Sequence, residues 1–112
     1  RCRGAGLSSV KVLYDPVAAV KNADIVYTDV WASMGQKEEE RKREEDFKNY
    51  QVDSKLMNST GRNTLFMHCL PAERGREVTD DFMEANYSIV FDQAENRMHV
   101  QNALMVKLCG EN

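Results

Sequence analysis

Few residues here suit a metal site, a disulfide scaffold, a membrane or a nucleic acid. Cysteine occurs only at Cys2, Cys69 and Cys109, an odd number at wide spacing that fits neither a disulfide framework nor a zinc pattern and suits a reducing compartment. Histidine is scarcer still, at His68 and His99, so no second ligand pair stands at metal-binding spacing. No stretch approaches the roughly 20 apolar residues that a membrane helix needs, and no apolar signal core follows Arg1-Cys2-Arg3. A dominant charge is also missing. The formal net charge is −3, with acidic and basic residues interleaved, which leaves no electrostatic footprint for nucleic acid or a membrane surface. A small-molecule substrate fits better. Internal repeats and low-complexity linkers are absent too, so no internal domain boundary is expected.

What is present is 42% hydrophobic and 29% charged residues over 112 positions, the balance and size of one soluble domain. A chain this short buries a smaller share of its surface than a large enzyme does. A segment of something longer, opening on Arg1 rather than Met, is therefore expected in place of a complete two-domain catalyst.

Four short β-rich runs, Val10 to Leu13, Ile25 to Asp29, Leu65 to His68 and Ser88 to Phe91, alternate with helical patterns. Alternation of this kind predicts an α/β fold, a partial Rossmann-like parallel sheet of about four strands flanked by helices. The runs are nearly continuous in apolar residues, as in strands covered on both faces. Asp15 and Pro16 are the cap and first residue of a short helix. Gln36 to Lys48 is a dense mix of Glu, Lys and Arg with i,i+4 pairs such as Glu39 with Arg43, the pattern of a solvated helix. Asp53 should cap a helix running through Met57, and Thr79 another with Asp80 and Asp81 in its first turn. From Ala94 a last helix carries Val100, Leu104, Met105 and Leu108 on one face, ends before Gly110, and should pack on the sheet.

Ligands of open parallel sheets bind beyond the carboxyl ends of the strands, and two such ends are chemically loaded. Thr28-Asp29-Val30-Trp31-Ala32-Ser33-Met34-Gly35 ends a strand on a carboxylate and continues into a small-residue turn. Met67-His68-Cys69-Leu70-Pro71 ends the next on an imidazole and a thiol. Read alone, Cys69 suits a small buried hydrophobe, His68 a hydrogen-bonded structural residue, Arg97 a surface cation and Trp31 a packing residue. A zinc pair or a thiolate nucleophile at His68 and Cys69 lacks further ligands at useful spacing. His99, Cys2 and Cys109 carry no functional assignment.

Asp29 to Gly35 resembles the D-x-x-x-S-M-G loop of the ornithine carbamoyltransferases, and His68-Cys69-Leu70-Pro71 resembles their H-C-L-P motif. Phe91-Asp92-Gln93-Ala94-Glu95-Asn96-Arg97-Met98-His99 is similar to the segment supplying their late active-site arginine. The likeness runs from about Asp15 to Leu108, with the three segments in the family's order and near its spacing. It implies transfer of a carbamoyl group from carbamoyl phosphate to the side-chain amine of ornithine, giving citrulline and phosphate, with no metal and no organic cofactor.

By resemblance, Asp29 would hold the ornithine α-amino group, and Ser33 and Met34 its backbone groups, with Gly35 bending the loop. Cys69 would sit beside the reacting amine and the carbamoyl group. The Leu70 carbonyl would accept from the carbamoyl amide, and Arg97 would donate to the carbamoyl oxygen. His68 and Pro71 would support the turn.

The family's Ser-Thr-Arg-Thr-Arg stretch, which grips carbamoyl phosphate, is not in these residues. Residues 1–112 thus correspond to the C-terminal portion of the ornithine-binding domain, without the carbamoyl-phosphate-binding domain, and the chain alone should be inactive. The resemblance further implies a homotrimer for the full-length protein, located in the cytoplasm if bacterial, or in the mitochondrial matrix or plastid if eukaryotic, and not secreted. Two alternatives remain: a sister carbamoyltransferase for another amine or amino acid, and a non-catalytic remnant that binds an amino acid or a partner.

Overall fold

The computed structural model describes residues 8–32 and 37–110. Helix α1 (Pro16–Val20) begins as its sequence dictates: Pro16 occupies the first turn, and the Asp15 carboxylate accepts from the Val17 N–H at 3.0 Å. Strand β1 (Ile25–Thr28) follows, one residue shorter than expected. The charged run forms α2 (Lys37–Phe47) and closes in a 3-10 turn at Lys48–Tyr50. The expected Glu39–Arg43 pair spans 3.1 Å. Asp53 caps α3 (Ser54–Asn58) by accepting from the Leu56 N–H at 2.7 Å. Strand β2 (Leu65–His68), the four-residue α4 (Asp80–Met83) and the long α5 (Val90–Cys109) complete the chain. Thr79 precedes α4 in extended conformation, but its hydroxyl makes no capping bond.

The fold class is α/β with a small parallel sheet, as the sequence predicts, but the four-strand count is not met. Among the described residues the sheet has two strands, β1 and β2, in register from Ile25↔Leu65 to Thr28↔His68. The fourth run contributes one parallel bridge, Phe66↔Ser88, made by Phe66 N–H to the Tyr87 carbonyl at 2.8 Å and Ile89 N–H to the Phe66 carbonyl at 3.0 Å. It then leaves the sheet, because Gln93 N–H bonds the Ile89 carbonyl and winds the chain into α5 at Val90, four residues before the expected start. The first run, Val10 to Leu13, is not a strand. It has no ladder partner among the described residues, and Val10, Val12 and Leu13 are about half exposed or more.

Val20, Val52, Leu56, Met57, Phe66, Val78, Phe82, Met83 and Val90 form the core on one side of the sheet, with Phe66 and Phe82 edge to face at 5.4 Å. The other side is open: Ile25 and Tyr27 of β1 are more than half exposed, so the strand is covered on one face rather than two. Helix α5 meets the sheet only at its beginning. Val100, Leu104, Met105 and Leu108, expected on the sheet, are each more than half exposed. The resulting shape is extended, with a radius of gyration of 16.9 Å against about 13 Å for a compact domain of this length.

An open strand edge and an uncovered apolar helix face favour association. The purified 112-residue chain is therefore expected to self-associate in light scattering and to melt without a cooperative transition. A sharp, reversible transition from a clean monomer would contradict this.

Candidate functional site

The parallel register builds the site. Because Thr28 lies opposite His68, the next residues, Asp29 and Cys69, leave the carboxyl edge of the sheet side by side. The Cys69 thiol donates to Asp29 Oδ1 at 2.9 Å, and the Val30 N–H donates to the same oxygen at 2.7 Å. Those two bonds, the thiol's first, hold the Asp29 carboxyl below the usual carboxylate range. In return the bond to Asp29 pushes the Cys69 thiol up, and burial adds to it.

A thiol held in this way is protonated at neutral pH and a poor nucleophile. Alkylation of Cys69 followed by mass spectrometry should therefore show a pH midpoint above the ordinary value of about 8.5. In Asp29→Asn the midpoint should fall back toward that value. A midpoint at or below it in the unaltered protein would contradict the geometry.

His68 is buried beneath the turn. Its Nδ1 accepts from the Leu70 N–H at 2.9 Å, which leaves the hydrogen of a neutral ring on Nε2. Nε2 faces Oε1 of the fully buried Glu77 at 3.3 Å, off the line of a hydrogen bond, while that same oxygen accepts from the Glu73 N–H at 2.5 Å. The turn beyond Cys69 is sharp: Leu70 has a positive φ of 52°, and the Leu70–Pro71 peptide is cis.

Helix α5 closes the site from the other side. Gln93 Oε1 accepts from the His68 N–H at 3.1 Å, and four residues later the exposed Arg97 donates to the carbonyl oxygen of Cys69. Spacing of i,i+4 puts both side chains on one helix face, so α5 fixes the end of β2 and delivers a cation to it.

Of the residues singled out by sequence, Asp29, His68, Cys69, Leu70, Pro71 and Arg97 come together at this edge. Ser33, Met34 and Gly35 lie outside the described residues. Trp31 stacks against Phe47 with ring centroids 6.4 Å apart. Sequence reasoning gave no role to Gln93, although it stands in the segment that carries Arg97, and missed Glu77, which belongs to no local pattern; each matters through the chain reversal that brings it to β2. Among the described residues, no three His, Cys, Asp or Glu side chains group to hold a metal ion, and no helix is long and apolar enough to cross a membrane.

Residues 2–108 match the family described as aspartate/ornithine carbamoyltransferase, Asp/Orn binding domain. A chloroplastic ornithine carbamoyltransferase from Pisum sativum is 60% identical over 111 residues, 99% of this chain and 30% of its own length. One from Thermococcus kodakarensis is 53% identical over 102 residues, 91% of this chain and 32% of its own. The solved ornithine carbamoyltransferase of Pyrococcus furiosus superposes with a TM-score of 0.77 at 53% identity, covering 84% of this chain and 30% of that one. The chain thus spans about a third of the length of the curated relatives it matches.

Proposed function

Because the chain belongs to the aspartate/ornithine carbamoyltransferase family, matching its Asp/Orn-binding domain, we propose that the whole protein converts carbamoyl phosphate and ornithine to citrulline and phosphate. Residues 1–112 then form the C-terminal portion of the ornithine-binding domain, and the carbamoyl-phosphate grip lies in the rest of the protein. The whole enzyme is assigned as a homotrimer in a reducing compartment, the cytoplasm of a bacterium or the plastid or mitochondrial matrix of a eukaryote. One observation carries the reading of the site: Asp29, the Cys69 thiol and the Arg97 guanidinium converge on the turn after β2.

In the reaction, the ornithine side-chain amine attacks the carbamoyl carbon. A carbon–nitrogen bond forms, the carbon–oxygen bond to phosphate breaks with its electron pair going to the departing phosphate, and the proton lost by the amine leaves with that phosphate. Asp29 pairs with the α-ammonium, a charge-assisted contact that orients the acceptor. Ser33 and Met34, which precede Gly35 in the family's motif, meet the acceptor's backbone groups. Arg97 faces the carbamoyl oxygen, where negative charge grows in the tetrahedral centre. The Leu70 carbonyl accepts from the carbamoyl amide, and the Cys69 thiol hydrogen-bonds beside the attacking amine. His68 and Pro71 support the turn that carries these groups.

The full-length protein, incubated with both substrates, should release citrulline and phosphate in equal amounts, and absence of citrulline would overturn the reading. Cys69→Ser separates hydrogen bonding from covalent catalysis, since a hydroxyl still donates and accepts. Partial activity, altered ornithine affinity and no carbamoyl-enzyme adduct by mass spectrometry are expected. Complete loss in a folded protein would contradict the thiol's role as a hydrogen-bonding group.

A further inference from the structure

Helix α2 leads out of residues 33–36, yet none of its described side chains is buried. Its last residue, Phe47, is held between Trp31 at 6.4 Å and Tyr50 at 6.0 Å. Toward its beginning the hold is electrostatic and comes from the segment after β2. The Arg76 guanidinium reaches Glu40 at 2.6 Å and Glu44 at 3.7 Å, successive turns of α2, and Glu73 of its own segment at 2.7 Å.

The base of that guanidinium is fixed. The Arg76 carbonyl accepts from the Gln51 side chain at 2.6 Å, Glu77 is buried against His68, and Val78 bridges to Val52. A continuous set of contacts therefore runs from the His68–Cys69 turn through Glu77 and Arg76 to α2.

We infer that Arg76 is a positioning residue: through Glu40 and Glu44 it fixes the middle of α2, the helix that follows Ser33 and Met34 in sequence, relative to Asp29 and Cys69. The inference rests on the ornithine carbamoyltransferase reading above. A single exposed ion pair does little, but here one guanidinium joins three carboxylates. Its removal leaves Glu40 and Glu73, now bound to the same nitrogen, facing each other as like charges. The link should weaken with salt, because exposed charges are screened within about 3 Å at 1 M ionic strength.

The test compares Arg76→Gln and Arg76→Lys with the unaltered full-length enzyme. For Arg76→Gln the expected result is a rise in ornithine KM of about three- to ten-fold. The kcat and the carbamoyl phosphate KM should stay within about two-fold. Hydrogen exchange of the amides in 37–47 should become faster, and Arg76→Lys, which keeps the charge, should recover part of both changes. Unmoved ornithine KM, with or without faster exchange, overturns the inference while leaving the transferase reading intact. Equal losses for both substrates overturn it too, since they would mark a general structural role. No citrulline from the unaltered enzyme would instead overturn the reading on which the inference rests.

Discussion

Replacing Arg97 by Ala in the full-length enzyme is expected to lower kcat by about 10²- to 10³-fold, the usual cost of removing one donor aimed at a developing oxyanion. Arg97 is exposed, and its guanidinium already lies on the Cys69 carbonyl at the end of β2. A donor held there before the reaction needs no reorganisation as charge builds on the carbamoyl oxygen, so the loss should fall on kcat and kcat/KM alike. Arg97→Lys should recover little, because a point charge does not reproduce the planar fork. Steady-state kinetics with both substrates decide the matter. A kcat within a few-fold of the unaltered enzyme would return Arg97 to the role of a surface cation.

The second large effect is expected at Asp29. Asp29→Asn removes the charge from a pair with the α-ammonium, and a charge-assisted bond is worth about 1.5–3 kcal/mol, so ornithine KM should rise by roughly ten- to a hundred-fold. Carbamoyl phosphate KM should change far less. The carboxylate suits an ammonium partner because its two hydrogen-bond donors, Cys69 and Val30, keep it ionised over the working pH range and leave its second oxygen outside those bonds. Equal losses for the two substrates would contradict the assignment.

Much of this edge was legible in the residues. Ile25 to Thr28 is a short β-branched and aromatic run and Leu65 to His68 a short apolar one, and the groups that end them are polar at the point where a parallel sheet opens to ligands. Asp15, Pro16 and Asp53 announce their helices because capping is local chemistry. The misreadings share a cause, which is that a strand depends on partners while an apolar run does not name them. Val10 to Leu13 has β composition but no ladder among the described residues. Ser88 to Phe91 also looks like a strand, yet one bridge to Phe66 suffices before Val90 turns into the core and starts α5.

Long-range polar contacts were the least legible. Arg76 and Glu77 sit in an unremarkable charged stretch, and their meaning comes from α2 and His68, 36 and 9 positions away in sequence. The amphipathic face of α5 is apolar as its periodicity indicates, yet it is not covered: periodicity reports that a face seeks burial, not that these 112 residues provide it.

The central claim, that Asp29 selects ornithine by its α-ammonium for carbamoyl transfer at Cys69 and Arg97, is tested most directly with two acceptors. Ornithine and 5-aminopentanoate present the same reacting amine and the same chain, but only ornithine carries the α-amino group. The measurement is the ratio of their kcat/KM values with carbamoyl phosphate, in the unaltered full-length enzyme and in Asp29→Asn. The predicted result is a strong preference for ornithine that largely disappears in Asp29→Asn, with 5-aminopentanoate turnover nearly the same in both proteins. An equal preference for ornithine in the two proteins, or no carbamoyl transfer to ornithine at all, would contradict it.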